Sequence, residues 1–531
     1  MNAKEFQDNS ISSLLFRAAD QWPDKPAITF LDASQSWLET RNRCHAAATL
    51  FSRLGVDRGD RVAYLGLNSN VCFESYYSPA LIGAIFVPIN YRLSIREMEE
   101  CIEDCTPKIL IVDENFTEQA EKLLKACVSL KAVLYTAQSS LTEGSISYER
   151  VVQEVLSSGE YCDLLPSSGD DVATLFYTGG TTGRAKGVML TNSNFICNTN
   201  CTIPLYRLQH QWAFVIVGPL FHLAAGSRVF SSTALGGNAV ILPRFDVASL
   251  LDAIQRYGVN SATLVPTMYQ MILDHPDFVS FDLTSLKMLA SGAAPLSAAL
   301  LRRILEAFPA AEFFQTYGMT EAAPVLTSLD SKYHVLEGPN SGKLGSVGHP
   351  VEHVDLVIAD EEDRVVPPNT TGQILAKGPN IMKGYWKLPE ASQEALEGGW
   401  YHTGDAGYLD DDGFLFLEGR VKDMIVSGGE NVYPIEVENV LESHPAVHQC
   451  AVIGIPHDTW GEAVHAIVIL KDQCEATEDG LILFCKEAIA GYKCPVSVTF
   501  RLDPMPLSPI NKILKTELRK PFWEGRKNKL V

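Results

Sequence analysis

The sequence predicts an α/β protein with a large N-terminal part built on mostly parallel sheet and a small α+β part after it. Short apolar runs alternate with amphipathic stretches from residue 61 to 126 and again from 172 to 310. This alternation is typical of parallel strands that are covered by helices on both faces. From about 340 to 419, glycine and proline become frequent and the apolar runs shorten, which indicates a small barrel-like or antiparallel subdomain.

The first elements follow from the spacing of apolar residues. Residues 11–55 are predicted to be helical because apolar side chains recur there at helical spacing. Ser94 and Glu97 form a capping-box pattern, which marks the start of a later helix. The elements predicted between residues 61 and 126 are strands at 61–65, 85–88 and 108–112 and helices at 71–83, 94–104 and 115–126.

The same pattern resumes in the middle of the chain and returns in shorter form near its end. We predict strands at 172–177, 187–190, 239–242 and 261–266, and a helix at 247–256. Later we predict helices at 435–443 and 477–489 and strands at 449–454 and 462–469. The predicted domains are therefore residues 1–420, with the barrel-like subdomain at about 340–420, and residues 421–531.

Length and charge restrict the class of protein. A chain of 531 residues exceeds one hydrophobic core, and a net charge of −21 disfavours nucleic acid as a partner. The chain has no apolar run long enough to span a membrane, and its polar N-terminus lacks the apolar core of a signal peptide. We therefore expect a cytoplasmic protein whose twelve cysteines are free and mostly buried.

The stretch at 177–188 is rich in glycine and threonine and lies between two predicted strands. Glycine lets the backbone turn sharply, and successive N–H groups in such a turn bind anions. Threonine hydroxyls add donors, and Lys186 adds a positive charge. We interpret this stretch as a loop for a polyphosphate. Alone it is equally compatible with an ordinary turn, because it lacks the G-x-x-x-x-G-K-[ST] pattern of the common nucleotide loop.

A second stretch, 315–321, is expected to be a polar turn after a strand end, where open α/β sheets bind ligands. Tyr317 offers a flat face for a base, and Thr320 offers a hydroxyl for a phosphate. Glu321 offers the hard oxygen that Mg2+ prefers. Alone, this stretch would be read as the start of a helix with an acid in its first turn.

Four further stretches carry weaker signals. The small residues at 291–295 leave room for a planar ring, and Asp405, expected in a turn after Gly404, suits the hydroxyls of a ribose. The stretches 419–431 and 507–515 combine charged residues with turn residues. For the first two, an ordinary turn explains the pattern equally well.

These six stretches, in this order and spacing, resemble the adenylate-forming superfamily. Its members include acyl-CoA synthetases, aryl-CoA ligases, firefly-type luciferases and adenylation domains of peptide synthetases. The resemblance covers residues from about 15 to 520. It implies an N-terminal domain of two helix-flanked, mostly parallel sheets, a C-terminal domain on a hinge at Lys422, and a reaction that uses ATP, Mg2+ and coenzyme A.

The resemblance also implies roles for individual residues. The group that would carry the chemistry is Lys512, Thr320, Glu321 and His222, with Glu321 holding the metal. ATP or AMP would be bound by Thr178, Gly179, Gly180, Thr181, Thr182, Gly183, Lys186, Gly292, Ala293, Ala294, Gln315, Thr316, Tyr317, Gly318, Thr320, Asp405 and Arg420. The hinge and CoA site would comprise Lys422, Ser427, Gly428 and Gly429. The acyl pocket would be lined by His222, Leu223, Gly226, Ala294, Thr316 and Ala322.

The pocket positions of this family carry small or apolar residues here. No arginine or lysine stands at 222–227, 291–296 or 315–322, which argues against a dicarboxylate. We expect activation of a hydrophobic carboxylic acid and its transfer to coenzyme A, with a medium- to long-chain fatty acid as substrate. An aromatic or alicyclic acid is the alternative.

Other functions stay open at this stage. The chain could load a carrier protein, act as a luciferase-like oxygenase, or bind nucleotide without chemistry; the retained Lys512, Glu321 and Asp405 argue against the last. The basic tail suggests contact with CoA phosphates or peripheral contact with a membrane. The sequence is also compatible with a homodimer.

The implied role of Lys512 generates a prediction. Its charge would stabilise the transition state as the carboxylate attacks the α-phosphate. Lys512→Ala should therefore abolish adenylation, measured by pyrophosphate exchange, while thiolysis of a supplied acyl-adenylate largely survives. Equal loss of both half-reactions would contradict the assignment.

Overall fold

The computed structural model describes residues 9–136, 145–178, 185–292, 296, 298–335, 337–420, 423–427, 430–457, 460–507 and 513–524. The chain forms two compact units. The first comprises Met1–Asp355 and Ala376–Tyr401, and the second comprises Leu356–Leu375 and His402–Val531. The second unit takes in strands on the N-terminal side of residue 420, and the predicted boundary at that residue stays a prediction.

Two sheets form the frame of the first unit. Numbered in chain order, the strands of the nine-stranded sheet lie in the spatial order β16 (His349–Pro350), β15 (Val325–Leu329), β14 (Glu312–Gly318), β13 (Met288–Gly292), β12 (Ser261–Leu264), β10 (Ala213–Ile216), β11 (Asn238–Ile241), β1 (Pro26–Phe30) and β2 (Ala33–Ser36). The eight-stranded sheet has the order β19 (Gly384–Tyr385), β9 (Lys186–Thr191), β8 (Val172–Thr178), β4 (Ile85–Ile89), β3 (Arg61–Leu65), β5 (Ile109–Val112), β6 (Ala132–Tyr135) and β7 (Ile146–Ser147).

Both sheets are parallel in their interior; the nine-stranded sheet is antiparallel at both edges, and the eight-stranded sheet is antiparallel at one edge. In the first, β1, β11, β10, β12, β13 and β14 pair in parallel, whereas β2, β15 and β16 pair antiparallel. In the second, only β8, β9 and β19 are linked by antiparallel pairing among the described strands. The predicted fold class is thereby confirmed.

Helices cover these sheets. They are α1 (Ile11–Gln21), α2 (Trp37–Arg53), α3 (Asn70–Ser75), α4 (Ile95–Cys105), α5 (Thr117–Ala126), α6 (Tyr148–Ser158), α7 (Asn192–Leu205), α8 (Leu223–Ala234), α9 (Val247–Tyr257), α10 (Pro266–Leu273), α11 (Ala298–Ala307) and α12 (Pro389–Ala395). The largest apolar cluster joins both sheets through α1, α2, α7 and α8, with Phe86, Ile28 and Phe230 among its buried members. In the described parts of the chain, no helix has both the length and the apolar character that crossing a bilayer requires.

The local signals succeed where a side chain contacts its own backbone. Ser94 and Glu97 form the predicted capping box at the start of α4. All twelve cysteines are free and most are buried, as expected. The helices predicted over 11–55 are present as α1 and α2, but the prediction missed β1 and β2, which pair antiparallel between them. The helix predicted at 71–83 is also too long, since α3 ends at Ser75.

The second unit contains two smaller sheets. The region of short strands forms a four-stranded sheet, in the order β17 (Asp355–Ala359), β18 (Gly372–Lys377), β20 (Tyr401–Leu409) and β21 (Leu415–Arg420). The other sheet has the order β23 (Glu430–Val432), β22 (Ile425–Ser427), β25 (Gly461–Leu470) and β24 (Val447–His457), with β26 (Ser497–Phe500) beside β25. The helices of this unit are α13 (Pro434–Glu442), α14 (Glu478–Ala488) and α15 (Lys515–Trp523).

The basic residues of α15 are partly neutralised within their own unit. Lys515 Nζ lies 2.7 Å from Glu438 Oε1, and Arg519 Nη2 lies 2.5 Å from Glu462 Oε1. These contacts fix α15 against α13 and the sheet, so these two cations already have acidic partners inside the fold.

A buried charge network connects α2, α3 and α6 in the first unit. Glu74 is fully buried, and it receives hydrogen bonds from Arg43 Nε at 2.6 Å, Gln35 Nε2 at 3.0 Å and Tyr148 Oη at 3.2 Å. Arg43 also contacts Glu149 Oε1 at 2.6 Å. Burial opposes the charge of Arg43, but the two carboxylates outweigh it and raise the pKa of the guanidinium above its ordinary value.

Removal of the cation from this network should strongly destabilise the first unit. Arg43→Met leaves Glu74 buried without its charged partner, so the free energy of unfolding should fall by about 3–5 kcal/mol. The control is Arg41→Met on the same helix, where a longer, more exposed contact with Asp20 predicts a loss below about 1 kcal/mol. Chemical denaturation measures both; similar losses for the two variants would contradict the prediction.

Candidate active site

The two strands that flank the predicted phosphate loop pair with each other. Strands β8 and β9 pair antiparallel, with Tyr177 opposite Gly187 and Thr178 opposite Lys186. Residues 179–184 lie outside the described residues. The hairpin register fixes both ends of the predicted phosphate loop on adjacent strands, with Thr178 and Lys186 both half-buried.

Lys186 contacts a tyrosine that the sequence analysis did not single out. Its Nζ lies 4.8 Å from the centroid of the Tyr385 ring, within range of a cation–π interaction. The hydroxyl of the same tyrosine donates a hydrogen bond to Glu321 Oε1 at 3.2 Å. One aromatic side chain thus joins the cation of the predicted phosphate loop to the carboxylate of the predicted metal site.

Backbone pairing brings Tyr385 to this position. Residues 383–386 add an edge strand to β9, because Lys383 N donates to Met189 O at 3.0 Å and Trp386 N donates to Gly187 O at 2.7 Å. Met382 N donates to Glu321 O at 2.8 Å. The segment is therefore bonded on one side to β9 and on the other to the turn that carries Glu321.

The stretch 315–321 differs from its predicted form. It was expected to be a polar turn, but β14 continues to Gly318, and the turn begins only at Met319. The strand persists because its residues pair with both β13 and β15. Gly318 is required there: a Cβ at this position would lie 1.9 Å from Pro324 O, and Met319 N donates to the same oxygen at 2.9 Å.

Glu321 and Thr320 lie together on a short 3-10 helix, Thr320–Ala322, that follows this strand. Asn380 Nδ2 holds its end by donating to Ala322 O at 2.9 Å. In the described parts of the chain, no three His, Cys, Asp or Glu side chains cluster as a metal site. A single oriented carboxylate fits Mg2+, which takes one or two carboxylates and completes its shell with phosphates and water.

Two buried polar side chains lie on neighbouring residues of β13 and β14. Ser291 and Gln315 are paired in register, and they are 1% and 8% exposed. Among the described residues, neither Ser291 Oγ nor Gln315 Oε1 has a hydrogen-bond partner. Unpaired buried polar atoms are unfavourable by about 1–3 kcal/mol each unless a ligand or water bonds them. Ser291 and Gln315 stand one residue before the end of the parallel pairing between β13 and β14, near the edge where such sheets bind ligands.

The residues predicted to bind the base lie on the same two strands as this pair. Tyr317 is 8% exposed and lies opposite Thr327 in β15. Gly292 lies opposite Thr316, and a Cβ at Gly292 would come within 2.8 Å of Thr316 Oγ1. The two strands therefore approach each other closely at the predicted adenine turn, as the absence of a side chain at Gly292 allows.

His222 and the first turn of α8 are predicted to line one side of the acyl pocket. The His222 ring lies 4.5 Å from the Phe221 ring, and Phe221 contacts Tyr91 edge-on at 5.0 Å. Leu223 is buried in the main apolar cluster. Ala322, also assigned to the pocket, is fully buried.

Packing against Tyr76 explains why glycine stands at position 226. A Cβ at this position would lie 2.2 Å from Tyr76 Oη, which donates to Leu220 O at 2.5 Å. The glycine therefore lets the buried Tyr76 pack against α8. Its predicted place in the acyl pocket stays a prediction.

A second residue that the sequence analysis missed is Arg228. It lies on α8 and is only 7% exposed, and among the described residues neither Nε nor Nη1 has a hydrogen-bond partner. In the sequence it stands outside the pocket ranges that were compared, which end at Ser227. Ala224 lies within the compared range, and Arg228 follows it by one helical turn on the same face. Extending the comparison by that one turn would have included Arg228.

The second unit carries the predicted ribose and hinge residues. Asp405 lies within β20 rather than in a turn, because Gly404, at φ +69°, is accommodated inside the strand. Asp405 pairs in register with Arg420 of β21, so the two residues predicted for the ribose are neighbours. Ser427 pairs with Glu430 and Gly461.

Several predicted site residues lie outside the described residues: Gly179, Gly180, Thr181, Thr182, Gly183, Ala293, Ala294, Lys422, Gly428, Gly429 and Lys512. A backbone bridge between Leu507 and Ile513 flanks the segment that contains Lys512.

Comparison with known proteins identifies related chains. The profile of the AMP-binding enzyme family matches residues 15–386, and that of the AMP-binding enzyme C-terminal domain matches 436–512. A feruloyl-CoA synthase of Amycolatopsis sp. is 38% identical over 97% of this chain and 100% of its own length. An indoleacetate–CoA ligase of Aromatoleum aromaticum is 32% identical, covering 96% and 97%. A long-chain-fatty-acid–CoA ligase of Escherichia coli O6:H1 is 32% identical, covering 96% and 94%.

Solved structures agree with these relatives. The O-succinylbenzoate coenzyme A synthetase of Bacillus subtilis, in complex with AMP, superposes with a TM-score of 0.82 at 30% identity. The match covers 95% of this chain and 97% of that one.

The Tyr385–Glu321 contact generates a test of the metal site. Tyr385→Phe keeps the ring beside Lys186 but removes the hydrogen bond to the carboxylate. We expect kcat/KM for adenylation at low Mg2+ to fall about tenfold, as for the loss of roughly 1.4 kcal/mol of a charge-assisted hydrogen bond. Excess Mg2+ should restore most of the lost kcat/KM.

The matched control is Tyr401→Phe. Its hydroxyl contacts Met319 Sδ at 3.1 Å, beside the same turn but away from the carboxylate. This variant should keep the Mg2+ dependence of the wild type. An unchanged Mg2+ dependence in Tyr385→Phe would show that the hydroxyl does not position Glu321.

Proposed function

This chain belongs to the AMP-binding enzymes of the adenylate-forming superfamily, and on that premise we propose that it joins an aromatic carboxylic acid to coenzyme A. The family establishes the reaction class, an ATP-dependent acid–CoA ligase. The proposal concerns the acid and the residues that act on it.

One observation carries the choice of acid. The feruloyl-CoA synthase is 38% identical across nearly the whole chain, whereas the long-chain-fatty-acid–CoA ligase is 32% identical. The indoleacetate–CoA ligase adds a second relative named for an acid that contains an aromatic ring. The alternative from the sequence analysis thereby becomes the first candidate. A medium- to long-chain fatty acid is the second, supported by the relative from Escherichia coli.

The aromatic lining beside His222 supports the same choice. Tyr91, Phe221 and His222 form a continuous series of ring contacts at 5.0 and 4.5 Å. Aromatic side chains bind planar rings by offset or edge-on contact, beyond the gain from burial alone. A planar acid would extend this series, with its carboxylate next to His222.

In the first half-reaction the chain must stabilise charge. A carboxylate oxygen attacks the α-phosphorus of ATP, a new P–O bond forms, and the bond to pyrophosphate breaks. We propose that Thr178, Lys186 and the loop between them hold the departing pyrophosphate, while Lys512 neutralises charge at the reacting phosphate. Such catalysis is mainly positioning and electrostatic stabilisation.

Glu321 is the residue proposed to hold Mg2+. The metal, when bound, supplies charge neutralisation on the phosphates. Tyr385 orients the carboxylate through the 3.2 Å hydrogen bond, and its ring lies beside Lys186, so the positions of both charged groups depend on one side chain.

In the second half-reaction the CoA sulfur attacks the acyl carbon, the thiol proton is lost, and AMP leaves with its electron pair. The thioester forms without further ATP. We propose Asp405 and Arg420 as the ribose-binding pair, since they are neighbours on adjacent strands. Ser427, with Gly428 and Gly429, is proposed to meet the incoming CoA.

The proposal is tested by a panel of acids with ATP, Mg2+ and CoA. AMP release and thioester formation are measured for arylpropenoic, arylacetic and benzoic acids and for straight-chain acids of eight to sixteen carbons. We expect kcat/KM for the best aromatic acid to exceed that of every fatty acid by about tenfold or more, a difference of roughly 1.4 kcal/mol.

Two results would change the conclusion. A fatty acid as the best substrate would replace the first candidate by the second. If no acid gives AMP, the enzyme assignment itself fails. Carrier-protein phosphopantetheine, compared with CoA in the same assay, tests the acceptor, and we expect CoA to be preferred.

A further inference from the structure

Arg228 is a buried cation without an acidic partner among the described residues. Its guanidinium lies on α8, 7% exposed, with Nε and Nη1 unpaired. Arginine keeps its charge in proteins, so burial cannot be relieved by loss of a proton. A buried charge is strongly unfavourable unless it is paired and hydrogen-bonded. The fold therefore maintains an unfavourable group at this position.

The ring contact of Arg228 offsets only part of the unfavourable free energy of burying its charge. The guanidinium carbon lies 4.9 Å from the centroid of the Tyr206 ring, a cation–π contact that contributes about 0.5–2 kcal/mol. Tyr206 is itself 1% exposed, and its hydroxyl also has no hydrogen-bond partner within the described part of the chain. Two neighbouring buried side chains thus offer unused N–H and O–H donors.

Both side chains lie next to the elements assigned to the acid. On α8, Ala224 is exposed and Arg228 follows one turn later on the same face, where the helix is buried. Six residues of helix separate Arg228 from His222, about 9 Å along the axis. Tyr206 contacts Phe314 of β14 edge-on at 5.3 Å. Phe314 precedes Thr316 by two residues and so shares its face of the sheet.

We propose that Arg228 and the Tyr206 hydroxyl form the far end of the acid pocket and bind an oxygen acceptor that the substrate carries opposite its reacting carboxylate. The inference rests on the proposed function and specifies its substrate class, an aromatic acid with a hydroxyl or methoxyl on the ring. A second carboxylate would offer the same acceptor chemistry. Arg228 is thus a specificity-determining residue, and it supplies the cation that the compared pocket ranges lack.

The chemistry of recognition favours this reading. A hydrogen bond from a charged donor to a buried acceptor contributes about 1.5–3 kcal/mol, and an analogue that lacks the acceptor leaves the donor unpaired. Sites that bond a substrate oxygen therefore reject the deoxygenated analogue far better than apolar pockets discriminate by size.

The test uses matched pairs of acids. One pair is 4-hydroxycinnamic and cinnamic acid, and the other is octanedioic and octanoic acid. Adenylation is followed by pyrophosphate exchange in wild type, Arg228→Met, Arg228→Lys and Tyr206→Phe. We expect wild type to prefer the oxygenated member of the aromatic pair by about 10- to 100-fold in kcat/KM. In Arg228→Met this ratio should fall to within threefold of unity, mainly through KM for the acid, with KM for ATP unchanged. Arg228→Lys should retain part of the preference.

Arg207→Met is the matched control. Arg207 lies over the Phe314 ring at 5.3 Å, but it is more exposed and paired with Asp330 at 2.9 Å and Glu312 at 3.1 Å. It should leave the ratio at the wild-type value. Thermal melting of every variant identifies one that fails to fold, in which case Arg228→Lys and Tyr206→Phe decide the outcome.

The outcomes separate this inference from the proposed function. If aromatic acids react but Arg228→Met keeps the wild-type ratio, the inference is overturned and the proposed function stands. If no aromatic acid reacts, the proposed function fails, and the straight-chain pair still tests Arg228. A preference for octanedioic acid that Arg228→Met removes would identify the second carboxylate as the acceptor. Absence of an Arg228-dependent preference in both pairs overturns the inference.

Discussion

The pairing of residues 383–386 with β9 is the contact on which the arrangement of the site depends. It consists of a few backbone hydrogen bonds, yet it joins segments that are about two hundred residues apart in the chain. Through it, Tyr385 reaches both Lys186 and Glu321. Glu321 lies on a short 3-10 helix, and the hydrogen bond from Met382 N to its backbone oxygen ties that helix to the paired segment. The edge of one sheet thereby orients a group that follows a strand of the other.

The sequence predicted the fold class because hydrophobic periodicity and local capping are encoded in neighbouring residues. The capping box of Ser94 and most predicted strands needed no information from distant parts of the chain. Errors arose where tertiary pairing decided the outcome. β2 forms because it pairs with β1, and β14 runs through Gly318 because it is bonded on both sides. Neither partner is recognisable from the local pattern.

The sequence predicted the chemical groups of the candidate site, but not the residues that contact and position them. Glycine, threonine, lysine and glutamate at fixed spacing indicate phosphate and metal binding, so Lys186 and Glu321 were predicted from the pattern alone. Tyr385 was missed because a tyrosine between glycine and tryptophan carries no signal for contact with a carboxylate. Arg228 was missed for a different reason. A charged residue on a helix is normally taken as solvated, and only the fold shows that this one is buried beside Tyr206.

The close approach of Gly226 to Tyr76 limits which substitutions this part of α8 can tolerate. Any side chain at residue 226 would collide with a buried hydroxyl that is itself bonded to the backbone, so this part of the helix is closed to variation. Ala224 is exposed on the same turn and meets no such limit. A library built to accept new acids would therefore gain little from position 226 and more from an exposed position such as Ala224.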